Sequence, residues 1–186
     1  IDCVIEALRA KGRKSVPQFG ASLKESETAA IIADFLVRLD VEVILNMPSL
    51  AVSDPSRMAG AVPVDDQNIM RSVGPFGAVD APVFQLVLAS NQQADWQTST
   101  AGLTARDLAM NVALPELDGR ILTRAIGFKQ PLTKDPVTHA MTTSYVPADD
   151  RAVFVADLVG RWCRLRHLPN ADKKIGFVLA NYPNKD

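Results

Sequence analysis

Two cysteines, two histidines and two tryptophans occur among 186 residues. Cys3 and Cys163 are far apart and form no CxxC pair, so a cysteine-built metal site or disulfide framework has no basis. They read as core fillers in a reducing, cytoplasmic compartment. Neither GxGxxG nor GxxxxGK[ST] occurs, so nothing licenses NAD or ATP binding by this chain. No apolar run approaches the roughly 20 residues of a membrane span. The net charge is −1 and no basic stripe stands out, which argues against nucleic acid. Internal repeats and low-complexity tracts are lacking too.

What is present is a 47% hydrophobic chain, enough for one domain with a full core. Ile1 reads as part of a helix already under way, and the C-terminus follows an apolar run. Residues 1–186 are therefore expected to be one α/β domain or part-domain of a much larger polypeptide.

Along the chain, helical spacing predicts a helix over 1–11, closed by Gly12. Val16–Gly20 reads as a short strand. Ser22 or Ser26 opens a helix whose apolar face is Ala29, Ile32, Phe35, Leu36 and Leu39. Val41–Leu45 is a strand, ending on Asn46. Residues 51–81 form a long loop rich in proline and glycine, with room for a short helix near 66–72. Val83–Ala89 is almost continuously apolar, as a parallel strand covered on both faces should be.

Thr104 to Asp107 resembles a capping box. The helix after it should bury Leu108, Ala109 and Val112 and stop at Pro115. Residues 120–147 read as a strand followed by a polar loop or hairpin excursion. Pro147 opens a helix with Val153, Phe154, Leu158, Trp162 and Leu165 on its face. Ile175–Ala180 is a last strand. The sum is α/β, a mainly parallel sheet with helices on both faces.

Candidate site residues follow from this order. Asn46, Asn91 and Asn181 end strands, where open parallel sheets bind ligands. Asn also simply tolerates such turns. The stretch Ala109–Gly119, AMNVALPELDG, puts Glu116 and Asp118 on a turn beyond a proline, with Gly119 free to take positive φ. In an extended turn the two acids would share one side. Asp before Gly also commonly bonds its own turn. Arg120 and Arg124 alternate along a strand, either to meet substrate carboxylates or as a solvated face. His139, in a polar loop, is a weak metal candidate without a partner at ligand spacing.

The segment LTARDLAMNVALPELDGRI at 103–121 resembles the family of tetrapyrrole metal-inserting chelatases, which joins cobaltochelatase large subunits and magnesium chelatase H subunits. VILNMPSLAVSD at 43–54, APVFQLVLAS at 81–90, YVPADDRAVFVADLVGRW at 145–162 and FVLANYPNKD at 177–186 agree in the same order. The wording is closer to the cobalt branch.

The resemblance implies a large subunit that binds ring and metal. Partner AAA+ chelatase subunits would use ATP and Mg2+. The corrinoid substrate would be hydrogenobyrinic acid a,c-diamide and Co2+ the inserted ion. The family pattern also favours Glu116 as proton acceptor or transient metal ligand. Oxygen ligands release cobalt more readily than thiolates do. The fragment alone should be inactive. The magnesium branch, and a scaffold domain without chemistry, are the competing readings.

Overall fold

The computed structural model describes residues 1–52 and 74–178. Its main sheet has four strands: β1 (Ile44–Asn46), β2 (Val83–Ala89), β3 (Ile121–Lys129) and, after a small hairpin, β6 (Tyr145–Pro147). β1, β2 and β3 run parallel, and β6 pairs antiparallel with β3. The hairpin is β4 (Thr133–Lys134) with β5 (Met141–Thr142). The expected α/β fold, with a mainly parallel sheet and a polar hairpin excursion, is the one observed.

Side chains alternate across β2 and divide the core. Leu86 and Leu88 face one side. There α1 (Asp2–Ala10) brings Val4 and Leu8, and the long α6 (Asp149–His167) brings Ala152, Val155, Ala156, Val159 and Cys163. On the other side α2 (Ser26–Arg38) packs Leu36 against Ile44 and Phe76. Further along that side Val87, Ala89, Ala125 and Phe128 meet Trp96 from α3 (Gln93–Thr98). Helices thus cover both faces.

Between β2 and β3 the register shifts near Gln85 and Val87. The Thr123 hydroxyl donates to the Gln85 carbonyl at 2.7 Å there, which satisfies an acceptor the ladder would leave open.

Several local expectations are corrected. Residues 16–20 form no strand, and Phe19 is exposed. Neither serine caps α2; Glu25 holds the N-cap position and the Ser22 hydroxyl accepts from the Lys24 amide instead. On α6 the buried stripe consists of small residues, whereas Val153, Phe154, Trp162 and Leu165 are exposed to a third or more. Ala152 and Ala156 let the helix approach the sheet closely, and the larger rings lie at the flanks. Trp162 reaches the edge of the Phe84 ring at 5.4 Å. Residues 175–178 are exposed and carry no strand. Of the 51–81 loop, residues 53–73 lie outside the described part, and so does the 66–72 helix. Gly74–Ala78 is a 3-10 turn that buries Phe76.

Gly74 is needed twice over. Its φ is +67°, and a Cβ there would stand 2.6 Å from Val52 Cγ1. Gly74→Ala should therefore cost about 1–3 kcal/mol. Faster hydrogen exchange at the amides of Val52 and Phe76 is the expected signature, and unchanged exchange would contradict it.

Candidate functional site

The 105–116 run is helical throughout, but not uniformly. It comprises α4 (Ala105–Leu108), a π-helical turn (Ala109–Ala113) and α5 (Leu114–Glu116). Pro115 does not stop the helix, contrary to the sequence reading. In the π turn the Leu114 amide reaches back to the Ala109 carbonyl, five residues earlier. Pro115 has no N–H with which to continue that register. The Met110 carbonyl therefore lacks an intrahelical donor, and the amide of Leu50 supplies one at 3.0 Å. The chain leaving β1 is thus fastened to the helix by the donor that proline lacks.

The helix ends one residue later than expected, at Glu116. Gly119 takes φ +69° and turns the chain into β3, as its sequence position predicts. The two acids part here. Glu116 is exposed, and among the described residues its side chain makes no hydrogen bond or ion pair. Asp118 is buried. A helical turn replaces the extended one, so residues two apart diverge rather than align.

Asp118 does not merely close its own turn. Its Oδ2 accepts from the Val52 amide at 2.7 Å and from Arg120 Nη2 at 2.6 Å. Both side chains of this ion pair are fully buried. Arg120 Nη1 donates onward to Gln85 Oε1 at 3.1 Å and to the Pro48 carbonyl at 3.3 Å. Asn46 Nδ2 donates to the same Gln85 oxygen at 2.8 Å and to Pro48 O at 2.9 Å. The Gln85 amide nitrogen is a third donor to Pro48 O, at 3.2 Å. Burial lowers the pKa of Arg120, and the neighbouring Asp118 carboxylate offsets only part of that. The guanidinium stays a cation held inside the fold.

Two predicted residues, Asn46 and Arg120, are therefore brought together, both through the Gln85 side-chain oxygen and the Pro48 carbonyl. Arg124 is not beside Arg120; it stacks over the Phe154 ring at 3.5 Å. Gln85 was missed because a lone polar residue in an apolar strand carries no motif.

Asn91 is elsewhere. It lies six residues beyond Gln85, in the bend that follows β2. Its amide donates to the Gly102 carbonyl at 3.3 Å. Beside it Asp107 accepts from the Ser90 amide and hydroxyl at 2.9 and 2.8 Å, while the Thr104 hydroxyl caps the Asp107 amide. The helical run buries Asp107 and Asn111, whereas Leu108 and Ala109 are exposed and Val112 is half-buried; Asp107 ties the run to the end of β2. Asn181 lies outside the described residues.

His139 sits at the hairpin tip, exposed, with φ +59°. Its amide donates to the Asp135 carbonyl. Among the described residues no group of three or more His, Cys, Asp or Glu is placed to hold a metal. Both cysteines are free, and burial raises the pKa of Cys163. No described helix is long and apolar enough to cross a membrane. An open groove of about 400 Å³ lies at the other end of α6, lined by Glu42, Asp80, Trp162 and Arg166 among others, and holds none of the predicted site residues.

Comparison with known proteins places this corner in context. A family model described as CobN/Magnesium Chelatase matches residues 1–186. An aerobic cobaltochelatase subunit CobN from Sinorhizobium sp. is 38% identical over all of this chain, which spans 14% of that protein. The subunit of that name from Pseudomonas aeruginosa is 39% identical over 97% of the chain and 13% of its own length. A chloroplastic magnesium-chelatase subunit ChlH from rice is 27% identical over 97% of the chain. Among solved structures, the catalytic subunit of cobaltochelatase from Mycobacterium tuberculosis superposes with a TM-score of 0.67 at 26% identity, covering 92% of this chain and 14% of that one. The chain thus corresponds to about one seventh of these relatives. With its whole length matched and its fold shared, it belongs to the CobN/magnesium chelatase family.

Proposed function

We propose that this chain is part of the large, ring-binding subunit of an ATP-dependent cobaltochelatase. That subunit would insert Co2+ into hydrogenobyrinic acid a,c-diamide in aerobic cobalamin biosynthesis, in the cytoplasm. AAA+ partner subunits would consume ATP with Mg2+. The higher identity to cobaltochelatase subunits than to magnesium-chelatase subunits supports the cobalt branch.

At the level of residues, the proposal assigns chemistry to Glu116. Inserting a divalent ion releases protons from ring nitrogens and strips water from the metal. A carboxylate can accept such a proton or ligate the ion briefly before release. One observation carries this assignment. At a corner where Asp118, Arg120, Asn46 and Gln85 are all engaged internally, Glu116 is exposed and unengaged among the described residues. Arg120 and Asn46 then act as framework beneath the acid. His139, remote in the chain from this corner, takes no part.

The assembled complex should turn over with Co2+ and hydrogenobyrinic acid a,c-diamide, read by absorption, and not with Mg2+ and a porphyrin. The reverse preference would move the protein to the magnesium branch. A second reading has its own support: Phe19, Phe177 and Val178 are 78%, 85% and 97% exposed, as surfaces covered by neighbouring domains would be. Full turnover by a complex with every exposed acid of this segment replaced would reduce the segment to such a docking role.

A further inference from the structure

Leu50 has φ +76°, a backbone region that leucine rarely adopts because its Cβ crowds the following carbonyl. Its side chain is 40% exposed, whereas the next residue, Ala51, is buried. Strain of this kind persists only where the surroundings fix it, and it gathers at ligand clamps. Here the fixation is plain. The Leu50 amide is bound by the Met110 carbonyl that Pro115 leaves open, and the Val52 amide by buried Asp118. Upstream, three side-chain donors converge on the Pro48 carbonyl. Val52 is further packed against Gly74.

The segment is thus nailed on both sides of Leu50, while the leucine side chain itself is offered outward. It is fastened to the helical run at Met110 and to the turn after that run at Asp118, and Glu116 lies between those two in the chain. Leu117, beside that acid, is also exposed. An exposed apolar side chain, on a segment bonded to the chain on both sides of Glu116, suits a flat macrocycle, which needs an apolar support for its face and a polar group at its nitrogens.

We propose that Leu50 is a ring-contacting residue, an apolar ledge fixed in advance against which the corrinoid macrocycle rests beside Glu116. This rests on the reading that the helix end bearing Glu116 meets the ring.

The test uses the full-length subunit with its partner subunits, and hydrogenobyrinic acid a,c-diamide as probe. Ring binding is followed by quenching of tryptophan fluorescence, turnover by absorption, and stability by thermal melting. Leu50→Asn and Leu50→Gly both suit a positive φ and remove the apolar surface. Each should melt no lower than the parent, bind the ring about tenfold more weakly and raise KM to match, with kcat nearly unchanged. Leu50→Met should restore binding to within about threefold. Unchanged ring affinity in both variants would overturn the proposal, as would a fall in affinity accompanied in both by a lower melting temperature. Glu116→Gln separates the two ideas. If it turns over normally while Leu50→Asn still weakens binding, only the role of Glu116 fails. If it loses turnover while Leu50→Asn binds normally, only the ledge fails.

Discussion

Glu116→Gln in the assembled chelatase should lower kcat by at least about 100-fold while leaving ring affinity within about threefold. Positioned proton acceptors typically contribute about 10²–10⁴-fold. Gln keeps the size and the hydrogen-bonding shape of Glu but neither takes a proton nor ligates as an anion. The side chain is exposed and makes no side-chain bond among the described residues, so the substitution should disturb nothing structural. A folding defect would therefore be as unexpected as normal turnover. Because the loss concerns a transition-state interaction, it should fall on kcat rather than on KM.

The second large effect belongs to stability. Asp118→Ala strands the Arg120 guanidinium, whose side chain is fully buried, without its carboxylate. Removing one partner of such a pair costs about 3–5 kcal/mol, since an uncompensated charge remains inside. The Val52 amide loses its acceptor in the same step. Unfolding in denaturant, read by tryptophan fluorescence, should show the loss; Trp96 packs on Phe128 and Trp162 on Phe84, so both report on the core. Adding Arg120→Met should recover much of it, because a buried pair is commonly no more stabilising than apolar residues of like volume. Two single effects that simply add would contradict the coupling described here.

These two expectations concern acids two residues apart, and the contrast explains what the sequence could reveal. Glu116 and Asp118 look alike in AMNVALPELDG. Only the helical turn that ends on Glu116 and the chain returning from β1 separate an exposed acid from a buried one. Gly119 was legible, because a turn at that point calls for positive φ. The action of Pro115 was not. A proline usually ends a helix, but a π turn ahead of it removes the conflict and lends the spare carbonyl to Leu50.

The fold itself was largely readable where burial is two-sided. Val83–Ala89 emerged with its observed bounds, since a run covered on both faces must be apolar throughout. Amphipathic helices were harder. On α6 the residues buried against the core are Ala152, Val155, Ala156, Val159 and Cys163, while hydrophobicity alone draws attention to Phe154 and Trp162. In 105–116 polar Asp107 faces inward because the end of β2 needs an acceptor for the Ser90 amide and hydroxyl. Residues 16–20 and 175–178 have strand-like composition but no sheet partner among the described residues, and composition cannot provide one.

All of this places weight on one carboxylate at the end of a helix. Single-turnover metal insertion, with the ring already bound to full-length subunit carrying Glu116→Gln, isolates that carboxylate from binding and from repeated ATP use. Insertion slowed by about 100-fold or more, with the bound ring's spectrum unaltered beforehand, is the expected result. Insertion at the parent rate would show that the acid takes no part.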